Sequence, residues 1–467
     1  MNPTRTWALA LTSVGSLMAA LDTLVVTTAL TTIRLDLGAS IQELEWTVNA
    51  YNLSFAVLLM TAAALGDRIG RRRVYAAGLT LFSVASAACA LAPDIGWLIA
   101  ARAVQGVGAA LVLPLGLALL SVAFPPERRG TAIGIFSGIT GIAVASGPLI
   151  GGAVAEGLAW QWIFWLNVPI GLAMVPLVLA RLKESFGPDT AVDLGGVGLV
   201  TAGTFGLVWG LVRGNIVGWA SAEVASALVA GGLLVAAFVR WELRTRRPML
   251  PMRFFRSAAF SAGNAAIFLL FGSLFGAVFF VAQFLQTGLG YGPLGAGLRL
   301  TPWVVTLLIV APIAGTFADR IGERPLMVGG LSLQAVGMAW IGLIAAPGLA
   351  YADLVAPLVV AGCGVSMAIP AAQNSVLGAV DSVEGGKASG VSSMSRELGG
   401  VFGIAVLVAV FAGSGGYASA AAFVDGFAPA IGGSAVLASA GAVVGLRLPG
   451  RRTPTEPAQA ELQLAHD

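Results

Sequence analysis

The sequence predicts an all-α integral membrane protein that crosses the bilayer fourteen times. Three observations predict it: a composition too apolar for a globule, a succession of apolar runs of bilayer length, and basic residues gathered in every second loop. Of 467 residues, 57% are hydrophobic and 10% charged, whereas a soluble domain carries about 25% charged residues. Mean hydropathy is +0.88. So much apolar side chain has to face lipid as well as a core.

The first run, residues 7–31, is too long for the core of a secretory signal and lacks a convincing cleavage site. It reads as a retained helix. Further runs occupy 44–65, 74–92, 96–122, 131–155, 161–180, 194–212, 219–240, 258–286, 293–317, 325–346, 354–378, 392–414 and 424–446. At 1.5 Å per residue, runs of roughly 17–25 residues span a core of about 30 Å. The segments 194–212 and 219–240 are Gly-rich and carry the weakest signals. With the N-terminus inside, the inner segments hold Arg5; Arg68, Arg71, Arg72 and Arg73; Arg128 and Arg129; Arg181 and Lys183; six arginines from Arg240 to Arg256; Arg320 and Arg324; Lys387; and Arg447, Arg451 and Arg452. The outer segments hold Arg34 and Arg213, while Arg102, Arg299 and Arg396 fall inside runs. The asymmetry recurs loop by loop, and a missing helix would scramble it downstream. Both termini are therefore expected in the cytoplasm of a multi-pass protein of the cell membrane.

Asp67-Arg68-Ile69-Gly70 recurs as Asp319-Arg320-Ile321-Gly322, each time at an inner loop. Two six-helix halves with two helices inserted between them give that offset, and repeated halves are a transporter architecture. The expected organisation is a six-helix bundle over 1–187, two inserted helices over 188–245, a cytoplasmic linker over 246–257, a second bundle over 258–448 and a disordered tail over 449–467. Cys89 and Cys363 lie far apart in apolar runs and read as small buried hydrophobes. His466 is the single histidine, which excludes a histidine metal cluster and a Ser-His-Asp triad. No phosphate loop of the Walker type is present, so ATP is not implied. The net charge of +3 does not point to nucleic acid, and neither metal nor cofactor is expected.

The loop Gly66-Asp67-Arg68-Ile69-Gly70-Arg71-Arg72-Arg73 combines a carboxylate, a turn glycine and four guanidinia. A basic anchor would have no use for Asp67. This loop resembles the motif between the second and third helices of the major facilitator superfamily. Arg102, Gln105 and Gly106 resemble its helix 4 motif. Gly141 through Gly147, Pro148, Gly151 and Gly152 resemble the Gly-Pro motif of exporters in helix 5. Leu21-Asp22 through Leu30, Trp160 through Gly171, and Arg396-Glu397-Leu398-Gly399-Gly400 resemble segments of the fourteen-helix drug:proton antiporters. Thr27, Thr31, Ala63 and Gln161 stand where the family has other residues, an Arg in the case of Gln161, and none of these changes removes an ionisable group that the resemblance ties to coupling. The resemblance implies the major facilitator fold and alternating access. It also implies gating by Asp67, Arg68, Gly70, Arg71, Gly147, Pro148, Gly151 and Asp319, with Asp67 capping the cytoplasmic start of helix 13 near Ser389 and Ser393.

The residues carry their own physics. Asp22 lies inside an apolar helix, where a charge costs about 2.5–3.5 kcal/mol on insertion scales. It is either a structural ion-pair partner or a proton carrier. From the outer helix ends, Asp22 lies about 13 Å deep and Arg102 about 9–12 Å deep, so the two are expected to pair. Glu397 is the alternative acid. In helix 5, Gly134, Gly138, Gly141 and Ala145, with Gly147 and Gly151, form small-residue spacings that permit tight packing, and Pro148 permits a bend. In helix 9, Asn264, Phe268, Phe271, Phe275, Phe279, Gln283 and Gln286 fall on one stripe. The stripe is either a lipid face or a pocket wall; the amides argue for the wall, since lipid cannot satisfy them. Asn264, Phe271, Phe275, Phe279 and Gln283, with Gln105, are the expected substrate contacts.

The reading is a monomeric proton-coupled exporter of drug-like or antibiotic-like small molecules. The alternative is a carrier of a defined metabolite such as a siderophore, an amino acid or an endogenous antibiotic. A membrane enzyme would need clustered acidic, His or Cys residues, which the sequence lacks. Reporter fusions after Gly214 and after Arg247 are expected to report opposite compartments; the same compartment for both would remove the fourteen-helix topology.

Overall fold

The computed structural model describes residues 3–186, 193–245, 248, 250–380 and 385–449. Among these residues there is no strand. The first helices are α1 (Pro3–Leu37), α2 (Ile41–Ile69), α3 (Arg71–Ala90), α4 (Ile95–Ala123) and α5 (Pro126–Gly157). A short α6 (Trp162–Trp165) and α7 (Asn167–Arg181) make one pass, followed by α8 (Leu194–Val217) and α9 (Ala222–Glu242). After a 3-10 turn at Met252–Arg256 come α10 (Ala258–Gln283), extended by a π turn at Phe284–Gly288, and α11 (Pro293–Arg299) with α12 (Thr301–Ile321). The chain ends in α13 (Glu323–Ile344), α14 (Tyr351–Leu377), α15 (Gly385–Ser414) and α16 (Ala420–Gly445).

Counting α6–α7 and α11–α12 as single passes, this order follows the expected segments one for one. By length and apolarity, ten helices among the described residues can cross a membrane. They become twelve when the bent pairs Thr4–Thr23 with Val25–Leu37 and Ile41–Leu59 with Thr61–Ile69 each count once. α5 and α8 lie outside that set; of α8, Gly195–Leu211 counts as a shorter apolar helix among the described residues. By length and apolarity the described residues thus support ten to twelve of the expected fourteen spans. Of the expected linker, residues 246, 247 and 249 lie outside the described residues, as do 450–467 of the expected tail.

The helix starts are written in the sequence. Ser40, Asp94, Asp193, Ser221, Ser257 and Ser419 each accept a hydrogen bond from the backbone N–H three residues on, satisfying a donor that the helix leaves open. The repeat is visible too. Gly70 and Gly322 take φ of +117° and +86°, a region that a side chain disfavours, so each Asp-Arg-Ile-Gly unit turns one helix into the next.

α2 packs on α4, α3 on α4 and α1 on α5; α10 packs on α15 and α16, and α13 on α14 and α16. Close approach depends on missing side chains. A Cβ on Gly403 would run into the backbone of Gly272, and one on Gly399 into the carbonyl of Phe268. α10 and α15 therefore touch backbone to backbone. Helices α1–α7 meet α10–α16 in two places. One is the seam where Leu53 and Val57 of α2 pack with Val401 and Ala405 of α15, covered by Val208 of α8. The other is the end remote from the termini, where α5 meets α11.

Gly403→Leu is expected to lower the thermal unfolding midpoint of detergent-purified protein, by the equivalent of about 1–3 kcal/mol for overpacking. Gly432→Leu, with nothing within 4 Å of its Cβ position, is expected to leave it unchanged. Equal midpoints for the two would reject the backbone contact.

Candidate functional site

Asp22 is 1% exposed and every bond it makes comes from a neighbouring helix. Arg102 and Gln105 stand three residues apart on α4, so they share one face of it. The Arg102 guanidinium pairs with Asp22 Oδ2 through Nη1. Gln105 Nε2 donates to Asp22 Oδ1 at 2.9 Å, and Asn167 Nδ2, at the start of α7, donates to the same oxygen at 3.0 Å. Arg102 Nη1 also reaches Gln105 Oε1 at 2.7 Å, and Nε donates to the Thr47 carbonyl at 3.0 Å. The guanidinium carbon lies 4.3 Å from the centroid of the Tyr51 ring, a cation–π contact strengthened by burial. Gln105 further donates to Ser86 Oγ at 2.8 Å. The structure thus places Gln105 among the partners of Asp22, fully buried, rather than in a substrate wall. Removing one partner of such a buried pair costs about 3–5 kcal/mol.

The loop between α2 and α3 holds a second cluster. Asp67 pairs with Arg71 one turn on, at 2.7 Å; Ser392, in the segment it was expected to cap, instead bonds Asn264 at 3.3 Å. Arg68 is exposed. Glu184, which the sequence reading passed over, docks here: Oε1 accepts from Arg72 N at 2.8 Å, and Oε2 lies 3.6 Å from Nε of both Arg72 and Arg73. A Cβ on Gly70 would meet its carboxyl group. The signal that could have found it is an acid just beyond a helix end, facing a loop with four arginines. The side chain of Asp319 and that of Pro148 lie outside the described residues.

Gly147 is buried. Gly151 faces α1, where a Cβ would meet the Val25 carbonyl, while its neighbour Gly152 faces Pro293 and Leu294 at the start of α11. The contact between the two helix groups at this end is therefore made by Gly152. Beside it, Glu156 Oε2 accepts from Leu294 N at 2.9 Å. Gln286 donates to the Thr28 carbonyl at 3.0 Å. Arg34 lies 4.3 Å from the ring centroid of Tyr417, whose hydroxyl bonds Gln283. These contacts close the end remote from the termini.

The α10 stripe is turned inward, which excludes the lipid-face reading. Phe271 and Phe275 meet edge to face at 5.6 Å, Phe268 lies 5.3 Å from Phe402 of α15, and Asn264 donates to the Phe260 carbonyl at 2.9 Å. Phe279 is fully buried against Phe280, and Gln283 is held by Phe279 and Tyr417. The stripe therefore divides: its Phe279–Gln286 part belongs to the closed end and its Asn264–Phe275 part lies against α15. On α15, Arg396 Nε bonds Glu397 Oε1 at 2.8 Å and lies over the Phe271 ring at 5.8 Å. Glu397 is 3% exposed and its Oε2 has no partner among the described residues. Glu45 was also missed. It is fully buried and accepts from Asn49 Nδ2 at 3.3 Å; α2 starts at Ile41 rather than 44.

Known proteins give this arrangement its context. The chain is 35% identical over 414 residues to the multidrug resistance protein Stp of Mycobacterium tuberculosis, covering 88% of this chain and 77% of that protein. It is 34% identical to the tetracenomycin C resistance and export protein of Streptomyces glaucescens, covering 85% and 74%, and 34% identical to the cephamycin export protein CmcT of Amycolatopsis lactamdurans, covering 97% and 94%. The fold is similar to a crystal structure of the peptide transporter POT in complex with sulfate, with a TM-score of 0.71 at 14% identity over 96% of this chain and 94% of that one. A sequence model of the Major Facilitator Superfamily matches residues 12–404 and 263–465. With its helical passes, its repeated loop and its buried ion pair, the chain belongs to the Major Facilitator Superfamily of membrane transporters.

Proposed function

We propose that this transporter exports drug-like or antibiotic-like small molecules in exchange for protons. The observation that carries the reading is the Asp22 cluster: an acid buried within an apolar helix, matched to one guanidinium and two amides. In this reading a proton, Arg102 and the substrate compete for the one carboxylate of Asp22. A cationic or hydrogen-bonding substrate that competes for Asp22 makes exchange obligatory. The names of the relatives support export as the direction. Two of them are named for one antibiotic each, which favours a self-made antibiotic as the second reading.

In this proposal the termini are cytoplasmic and the closed end faces outward. Bundles 1–187 and 258–448 rock about the seam that the inserted helices of 188–245 cover. The Asp67–Arg71 pair then belongs to the inward-open state, and Asp67 turns to the start of α15 when the cytoplasmic side closes. Phe271 and Phe275, beside Arg396, form the wall that the substrate meets.

The test is proton release from detergent-purified protein on addition of candidate drugs and antibiotics. Asp22→Asn is expected to abolish both that release and export against a gradient, while binding of neutral substrates persists. Parental export by the Asn variant with an unchanged pH profile would reduce Asp22 to a structural role.

A second expectation separates substrate from coupling. Phe271→Ala and Phe275→Ala are expected to change which compounds are exported by several-fold, with proton release per exported molecule unchanged. Equal loss for all compounds, tracking protein abundance, would make these rings packing residues.

A further inference from the structure

Arg299 is a third guanidinium inside a predicted span, and neither the proton cluster nor the α10 stripe uses it. It ends α11, where the pass through α11–α12 starts from the closed end. Its guanidinium carbon lies 3.5 Å from the Tyr291 ring centroid and 5.2 Å from that of Tyr351. Nη1 donates to the Gly295 carbonyl at 3.1 Å. Nε is buried without a hydrogen-bond partner, and no described carboxylate forms an ion pair with the group. Asp353, in the first turn of α14 that Tyr351 begins, is exposed and makes none. Below Arg299, an open groove of about 480 Å³ runs between α12 and α14, lined among others by Leu298, Val305, Ile309, Val310 and Val359, with Tyr351 at its head.

Two threonines line the groove, Thr301 and Thr306, and Thr306 Oγ1 donates to the Trp303 carbonyl at 2.5 Å. Apart from these and Tyr351 the lining is apolar, and Leu298 and Ile309 are exposed at 51% and 57%. In a membrane-spanning chain such a surface meets lipid. Lipid in general needs no cation. An arginine between two tyrosines at the head of an alkyl-lined groove is built for one part of a lipid, the phosphate. Its planar fork matches phosphate oxygens, and tyrosines sit at the depth of the headgroups.

We propose that Arg299, flanked by the rings of Tyr291 and Tyr351, holds the phosphate of an anionic phospholipid whose acyl chain lies in the α12–α14 groove. Arg299 is on α11, the helix whose start carries the Gly152 and Glu156 contacts. A lipid held here rests on the element that closes the outward end.

The test is native mass spectrometry of the full chain released from membranes of mixed dioleoyl phosphatidylglycerol and phosphatidylcholine. The wild type is expected to retain phosphatidylglycerol in preference. Arg299→Gln is expected to reduce that preference about fivefold, the worth of one basic residue near an anionic lipid surface; Arg299→Lys is expected to keep most of it. Ile309→Trp, which fills the groove at an exposed position, is expected to reduce retention of both lipids there. Inorganic phosphate is expected not to compete. Parental preference in Arg299→Gln overturns the proposal, and so does full displacement by inorganic phosphate, which would mark a free-anion site. Should Arg299→Gln fail to fold, undiminished retention by Ile309→Trp overturns it as well.

Discussion

A carboxylate in the middle of an apolar helix has no water to fall back on, and the arrangement of α1, α2, α4 and α7 follows from that constraint. Asp22 takes its donors from α4 and α7, and its main partner is in turn anchored on α2 by the Thr47 carbonyl and the Tyr51 ring. Both oxygens of Asp22 are satisfied, while Arg102 Nη2 is buried without a hydrogen-bond partner among the described residues. The small residues of α4 serve the same end. A Cβ on Gly106 would meet the Tyr51 carbonyl, and one on Gly108 the backbone of Phe82. Only with α2 and α3 this close to α4 can Arg102 reach Asp22 while stacked on Tyr51.

The closed end is held by weaker means, which is what a moving interface needs. The carboxylate expected to cap a helix across the two groups was Asp67. The structure uses that device at the opposite end instead, where Glu156 of α5 accepts from the first turn of α11. A carboxylate at a helix start contributes about 0.3–1 kcal/mol. Gln286 to Thr28 adds one neutral hydrogen bond, worth about 0.5–1.5 kcal/mol. Contacts of this size hold a state without trapping it, and the glycine contact at Gly152 lets the backbones separate without repacking a side chain.

Much of this was legible in the sequence, for identifiable reasons. Hydropathy and capping residues gave the order of helices, since Ser40 or Asp94 can be read without a fold. The repeated Asp-Arg-Ile-Gly gave the two turns because glycine at positive φ leaves a mark in composition. The meeting of Asp22 with Arg102 was readable from depth, since two lone charges in lipid seek each other. What was not legible depends on azimuth and on contacts between distant segments. Gln105 carries an amide suited equally to a substrate and to Asp22, and only the rotation of α4 decides. Gly151 and Gly152 are neighbours with opposite partners. Glu184 and Glu156 are exposed-looking acids whose partners lie more than a hundred residues away.

The geometry also constrains how coupling can work in the proposed cycle. All the hydrogen-bonding partners of Asp22 belong to α1–α7, so rocking one bundle against the other does not by itself break the network. The switch then has to act on it locally. Neutralising Asp22 leaves Arg102 with the Thr47 carbonyl, the Gln105 amide oxygen and the Tyr51 ring, of which two belong to α2. A freed guanidinium leans on α2. That helix carries Leu53 and Val57 at the seam with α15, and it ends in Asp67 and Gly70 at the terminus-side loop. A change in proton occupancy that alters the pull on α2 is therefore delivered to the seam with α15 and to the terminus-side loop. Glu397 lacks such a lever. Its one hydrogen-bonding partner is the adjacent Arg396, and a bond between sequence neighbours on one helix cannot report on how two helices stand.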